Sequence, residues 1–135
     1  MQAQVKWVGD DRFLGLTDSN NSVVMDAGSG DKSAASPMEL VLMGVGGCSS
    51  VDVVSILKKA RQDVTDCRVD IKAERASGIP AVFTRVHLHF VVKGREVKES
   101  QVKRAVDLSA EKYCSVSIML GKAVDITHSF EVIAA

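Results

Sequence analysis

The sequence lacks a surplus of charge of either sign, because 17 Lys and Arg residues balance 17 Asp and Glu residues. Without a basic surplus the chain cannot attract a phosphate backbone strongly, so we expect no nucleic-acid partner. It also lacks an uninterrupted apolar run of the roughly 18 residues that span a membrane, and its N-terminus has no signal-peptide core. We therefore expect no membrane partner.

The chain contains only three cysteines, Cys48, Cys67 and Cys114, which is an odd number. An odd count in a chain without secretion signals predicts reduced thiols in the cytoplasm, so that any disulfide would be transient. A length of 135 residues suits one domain with its own core, and we assign residues 1–135 to a single domain.

The pattern along the chain predicts an α+β fold. Residues 4–8, 12–16 and 22–26 are short segments separated by turn residues, which indicates an antiparallel meander. Ser36, Pro37 and Glu39 then form a helix start with a capping box, and this long central helix should run to about Ala60. Alternating runs over residues 68–74 and 82–90 predict a β-hairpin. Helical spacing then predicts a helix over residues 100–113 and a short helix over 114–121, and a strand over 124–133 ends the predicted order.

Three glycines, Gly44, Gly46 and Gly47, lie inside the long helix directly before Cys48. Each interior glycine costs about 0.5–1 kcal/mol relative to alanine, so something must offset the loss. In one interpretation Cys48 is a small buried hydrophobe and the glycines let another backbone pack closely. In the other, they admit a second helix that carries a partner thiol. Cys114 is the candidate partner because it lies at the start of the short helix, where free N–H groups favour a thiolate.

Two stretches together carry a family resemblance: residues 36–48, which begin SPMEL and end GVGGC, and residues 112–117, KYCSVS. With these motifs the chain resembles the OsmC/Ohr family of osmotically inducible and organic hydroperoxide resistance proteins over nearly its whole length. The resemblance implies an OsmC-like fold and an intertwined homodimer in which the central helices of two chains pack together. This packing would explain the three glycines, because residues without side chains let two helices approach closely.

The resemblance also implies a thiol-dependent peroxidase acting on organic and inorganic hydroperoxides. Cys48 matches the peroxidatic cysteine and Cys114 the resolving one, with Arg12 as the arginine available to stabilise the Cys48 thiolate. An external dithiol would reduce the resulting disulfide. On this basis we expect neither a cofactor nor a metal.

Several residues depart from the family pattern or favour other functions. Met38 follows Pro37 at the position where the peroxidase branch has an acidic residue, and the nearby Glu39 is predicted to be the acid of the capping box instead. Ser115 follows Cys114 at the position where that branch commonly has proline. Asp52 lies one turn after Cys48 and would raise the thiol pKa unless a cation pairs with it. These features favour an alternative in which the dimer binds a small apolar ligand or senses redox state with little turnover.

Five further side chains have a structural and a functional interpretation. His87 and His89 share one strand face and could supply two metal ligands, although a polar strand face also explains them. Cys67 is predicted to pack. Trp7 and Tyr113 could line a pocket, but we predict a packing role in the core for both.

Overall fold

The computed structural model describes the whole chain, from Met1 to Ala135. Its strands are β1 to β6: Ala3–Gly9, Arg12–Thr17, Ser22–Asp26, Asp63–Arg75, Phe83–Arg95 and Asp125–Ala134. Its α-helices are α1 to α3: Pro37–Lys59, Glu99–Leu108 and Ser115–Leu120, with a π-helical turn at Ser109–Tyr113 between the last two. The α+β class and the predicted order of elements are confirmed. The chain divides into two compact units, Met1–Met43 and Gly44–Ala135, and the assignment of one domain to residues 1–135 stays a prediction.

In the first unit β1, β2 and β3 form the expected antiparallel meander. The side chain of Trp7 is 64% exposed, and its indole N–H donates to the backbone oxygen of Asp10 at 2.8 Å. The prediction that Trp7 packs in a core is therefore wrong. By strand alternation and register it shares an open sheet face with the exposed residues Val5 and Val23, whereas Val8 and Val24 are exposed on the opposite face.

Helix α1 begins with the predicted capping box. The Glu39 N–H donates to Ser36 Oγ at 3.2 Å, and the Ser36 N–H donates to Glu39 Oε1 at 2.9 Å. Hydrogen bonds from Ser36 also lower the pKa of Glu39. An 18-residue window of α1 has a mean hydropathy of 1.9, so its length and composition alone would fit a membrane span, contrary to our reading of the interrupted sequence. Such a helix is also typical of a protein core.

In the second unit the predicted hairpin extends further than expected, with β4 and β5 antiparallel from Asp63 to Arg95. The last strand, β6, pairs with β5 in parallel. A parallel pair needs a long crossover connection, and α2, the π turn and α3 supply it. Inward-facing residues of β5 form the centre of the core, namely Val86, Leu88, Phe90 and Val92.

The glycines of α1 have two different surroundings. A Cβ atom at Gly46 would lie 2.6 Å from Ile71 Cδ1 and 3.1 Å from Val69 Cγ1, so Gly46 lets α1 approach β4 of its own chain. A Cβ atom at Gly44 or Gly47 would meet nothing within 4 Å. The sequence-based explanation, contact with another helix, is therefore wrong for Gly46 and stays a prediction for the other two.

The single helix predicted over residues 100–113 is in fact α2 followed by the π turn. The Cys114 N–H donates to the Ser109 oxygen at 2.8 Å, which is the i to i−5 pattern of a π-helix. Tyr113 at the end of this turn is half exposed, so its predicted packing role is also wrong.

Candidate functional site

The second unit brings Cys48 and Cys114 together with Asp52. The two sulfur atoms and a carboxylate oxygen of Asp52 all lie within 4.8 Å of one another. Cys48 and Asp52 are one turn apart on α1, whereas Cys114 is the N-cap residue of α3, as the sequence suggested. All three cysteines of the chain are free thiols. The site therefore contains a dithiol and a carboxylate on two facing helices.

Cys114 is fully buried and accepts hydrogen bonds at its sulfur. Ser49 Oγ donates to Cys114 Sγ at 3.2 Å, and the Ser117 N–H donates to the same sulfur at 3.3 Å. Burial raises the pKa of Cys114, but the hydroxyls of Ser117 and Ser49, the Ser117 N–H and the Cys48 thiol together outweigh it. The pKa of Cys114 consequently lies below its ordinary value.

Cys48 is the more accessible thiol, since it is only partly buried. The backbone N–H of Val116 lowers the pKa of Cys48, but burial and the neighbouring Cys114 sulfur raise it by more. The pKa of Cys48 therefore lies above its ordinary value. Within this chain the electrostatic surroundings favour a thiolate at Cys114 over one at Cys48.

Asp52 is held by a hydroxyl group. Ser109 Oγ, at the start of the π turn, donates to Asp52 Oδ2 at 3.0 Å. No ion pair within this chain involves Asp52, so of the two alternatives, an Asp52 paired with a cation or a less reactive Cys48, the first is not found here. The carboxylate remains beside the two thiols with one neutral donor.

A cavity of about 410 Å³ begins at Asp52 and extends along α1. Lys59, Arg104 and Tyr113 contribute polar groups to its lining, and Ile56 and Leu108 contribute apolar ones. Its volume falls in the range of small-molecule sites. Because Asp52 belongs to both, the cavity adjoins the dithiol.

Arg12 lies in the first unit, at the start of β2 and opposite Asp26 of β3. The N–H groups of Ser33 and Gly28 are the main causes that lower the pKa of Asp26, and the charge of Arg12 lowers it further. A role for Arg12 at Cys48 stays a prediction.

His87 and His89 lie side by side on the exposed face of β5, but their ring nitrogens face residues of β6. His87 Nδ1 lies 2.6 Å from Thr127 Oγ1, and Ser129 Oγ lies 2.8 Å from His87 Nε2 and 2.7 Å from His89 Nδ1. His89 Nε2 lies 3.2 Å from Glu131 Oε1. This row of hydrogen bonds accounts for both histidines without a metal.

Sequence reasoning missed the serines that organise the site. Ser49, Ser109 and Ser117 are all buried, and each directs a hydroxyl or N–H group at a site residue or at another of these serines. The available signal was position, because Ser49 directly follows Cys48 and Ser117 occupies the third place after the N-cap. Ser109 carries no such signal, because it lies inside the single helix predicted over residues 100–113.

The fold and the site define an α+β protein with a dithiol, one thiol accessible and one buried, between its central helix and a short helix. The chain belongs to the OsmC-like protein family, whose model matches residues 29–129. This finding confirms the family resemblance and the predicted OsmC-like fold.

The chain is similar to Protein YhfA of Escherichia coli K12, with 61% identity over the full length of both proteins. Among solved structures, a hypothetical protein from Aquifex aeolicus VF5 shares 31% identity at a TM-score of 0.88, covering 99% of this chain and 96% of that one. The organic hydroperoxide resistance protein OhrB of Bacillus subtilis shares the fold at 14% identity and a TM-score of 0.67, covering 97% of this chain and 98% of that one.

The electrostatics of the thiol pair give a first prediction. Replacing Cys114 by Ser removes the neighbouring sulfur that raises the pKa of Cys48, while the Val116 N–H that lowers it remains. The pKa of Cys48 in Cys114→Ser should therefore fall, and the pH midpoint of bromobimane alkylation should move to lower pH. Both proteins compared carry Cys67→Ser, so that Cys48 is the accessible thiol in each of them. An unchanged or higher midpoint would contradict the prediction.

Proposed function

We propose that the protein is a cysteine-based peroxidase that reduces organic hydroperoxides, and inorganic ones in addition, through the Cys48/Cys114 pair. The observation that carries the proposal is the approach of the two sulfurs to within 4.8 Å in one chain. Family membership supports it, as does the fold shared with a protein named for organic hydroperoxide resistance.

In this proposal the Cys48 thiolate attacks one peroxide oxygen, the O–O bond breaks, and the organic alcohol leaves after accepting a proton. Cys48 becomes a sulfenic acid. The Cys114 thiolate then attacks the Cys48 sulfur, a disulfide forms, and the hydroxyl leaves as water with a second proton. An external dithiol returns two electrons and two protons to restore both thiols.

Access assigns the first step to Cys48. Cys114 is 0% exposed, so a peroxide cannot reach its sulfur, whereas Cys48 is partly exposed. The lowered pKa of Cys114 suits the second step, because a thiolate is the form that attacks a sulfenic acid. The adjoining cavity of about 410 Å³ offers space for the organic group of a hydroperoxide.

The raised pKa of Cys48 and the nearby carboxylate of Asp52 favour a second candidate function. In that alternative the protein binds a small ligand or senses redox state, and its dithiol is oxidised once without rapid turnover. The two functions differ in whether a suitable dithiol supports repeated cycles.

We further propose that two copies of the chain form a homodimer through α1. Gly44, Gly47, Val51 and Lys58 recur at helical spacing and lie exposed on one side of this helix, with Val51 69% exposed. Val54 and Ser55 continue this side between Val51 and Lys58. The open space at both glycines would let a second helix approach closely. Three free thiols also suit the reducing cytoplasm, where we place the protein.

The peroxidase is tested by the consumption of an alkyl hydroperoxide with excess dithiothreitol or dihydrolipoamide. Cys48→Ser should abolish turnover, while Cys114→Ser that is reduced and then assayed without dithiol should still consume about one peroxide per chain and then stop. Cys67→Ser is the matched control and should turn over like the wild type. If all three variants match the wild type in a low background rate, the peroxidase is rejected. One oxidation of the wild type without cycling supports the sensor instead.

The role of Arg12 is tested by the rate at which Cys48 is alkylated at neutral pH. If the guanidinium stabilises the thiolate, Arg12→Ala should slow alkylation by about 10-fold for each unit by which the thiol pKa rises. Arg85→Ala is the matched control, because Arg85 is an exposed arginine that pairs with Asp125 on the strand face away from the thiols. An equal rate for Arg12→Ala and wild type would refute the role.

The homodimer is tested by sedimentation equilibrium of Gly47→Leu. In the isolated chain this change fills open space and improves helix propensity, so it should not harm folding. At a close helix contact it should instead weaken self-association, shifting the mass towards the monomer. Gly30→Leu is the matched control, since a Cβ atom there also meets nothing within 4 Å. A monomeric wild type, or a Gly47→Leu protein that associates equally well, would overturn the proposal.

A further inference from the structure

The dithiol and Asp52 have a second chemical capacity that the peroxidase does not use. Two thiols and one carboxylate are three potential metal ligands, and their ligand atoms already lie within 4.8 Å of one another. Around a tetrahedral Zn²⁺ with bonds of about 2.0–2.3 Å, neighbouring ligand atoms are about 3.5–3.8 Å apart. No two of these ligand atoms would need to approach each other by more than about 1.3 Å.

We propose that Cys48, Cys114 and Asp52 form a binding site for a thiophilic divalent cation such as Zn²⁺, with a fourth coordination position left for water or another ligand. Thiolate sulfur selects Zn²⁺ over the hard cations Mg²⁺ and Ca²⁺, and the carboxylate completes a three-ligand protein set. The proposal departs from the sequence-based expectation of a metal-free protein. It does not depend on the peroxidase.

The hydrogen bonds around the site have the arrangement of a metal site's outer shell. Ser109 Oγ donates to Asp52 Oδ2 at 3.0 Å, and Ser49 Oγ and the Ser117 N–H donate to Cys114 Sγ. Each of these groups donates a hydrogen bond to a ligand atom and so fixes the orientation of that ligand. The ligand atom keeps other lone pairs with which it can bind a metal. Such partners orient and tune metal ligands.

The charges of the site favour the same conclusion. A carboxylate beside two thiols opposes their ionisation, and no cation within the chain pairs with Asp52. A divalent cation would reverse this relation, because it stabilises the thiolates and the carboxylate together. Asp52, which is unfavourable for a free thiolate, is thus favourable in a metal site.

Metal and disulfide exclude each other at this site, since the sulfur atoms of a disulfide are no longer anionic ligands. Diamide oxidises both thiols by removing two electrons and two protons, which convert its N=N bond to a hydrazine. The oxidised protein should therefore lose the metal site.

The site is tested with reduced, metal-free protein that carries no histidine tag, titrated with Co²⁺ in the absence of oxygen. We expect a sulfur-to-cobalt charge-transfer band that saturates at one Co²⁺ per chain and disappears when Zn²⁺ displaces the cobalt. Cys48→Ser should lose most of this band, and prior oxidation by diamide should abolish it. Cys67→Ser is the matched control and should titrate like the wild type.

The carboxylate is tested separately with Asp52→Asn, which keeps the side-chain size. Its affinity for Co²⁺ should fall at least about 10-fold, which is the loss that removal of an outer-shell partner alone can cause. Bound Zn²⁺ should also protect Cys48, but not Cys67, from bromobimane. A titration without a saturable charge-transfer band, a Cys67→Ser variant that loses the band, or an Asp52→Asn curve identical to the wild type would overturn the proposed ligand set. Circular dichroism of each variant confirms that it is folded.

Discussion

The hydrogen bond from Ser49 Oγ to Cys114 Sγ is the interaction on which the site depends. It joins the buried side of α1 to the start of α3 and gives a fully buried sulfur a hydroxyl donor. A buried polar group without a partner costs about 1–3 kcal/mol. Loss of this buried hydrogen bond should therefore destabilise the fold more than loss of a hydrogen bond on the surface. No buried side-chain nitrogen or oxygen in the chain lacks a hydrogen-bond partner. The buried serines around Cys114 therefore form a hydrogen-bond network in which each hydroxyl has a partner.

That network gives the two thiols different pKa shifts as well as different positions. Donors from Ser49 and Ser117 act on Cys114, which is buried, whereas Cys48 keeps access to solvent and has a raised pKa. The accessible sulfur is thus the less ionised one. A peroxidase with this arrangement needs an additional positive charge near Cys48, from Arg12, from a partner chain or from a bound cation. Without one, the same arrangement suits a thiol that reacts slowly.

The sequence predicted the fold because its signals are local. The capping box at Ser36 and Glu39, the alternation of the hairpin and the position of Cys114 at a helix start all depend on neighbouring residues. The π turn could not be predicted, because its hydrogen bond from Cys114 to Ser109 differs from an α-helical one by a single residue. The role of Gly46 depends on Ile71, which is distant in sequence. The hydroxyl contacts of the site are likewise tertiary, so residue type alone does not reveal them.

The position of Cys48 on α1 links the thiol chemistry to self-association. Residues advance by about 100° around an α-helix, so Cys48 lies between the exposed side that contains Gly47 and Val51 and the buried side that contains Ser49 and Val53. A second helix seated on the exposed side would cover the solvent edge of Cys48 without displacing its contact with Cys114. Added burial alone would raise the thiol pKa further. A homodimer with a reactive Cys48 must therefore bring a positive charge along with its apolar surface, and this requirement distinguishes an enzyme from a dimer that only protects its thiols.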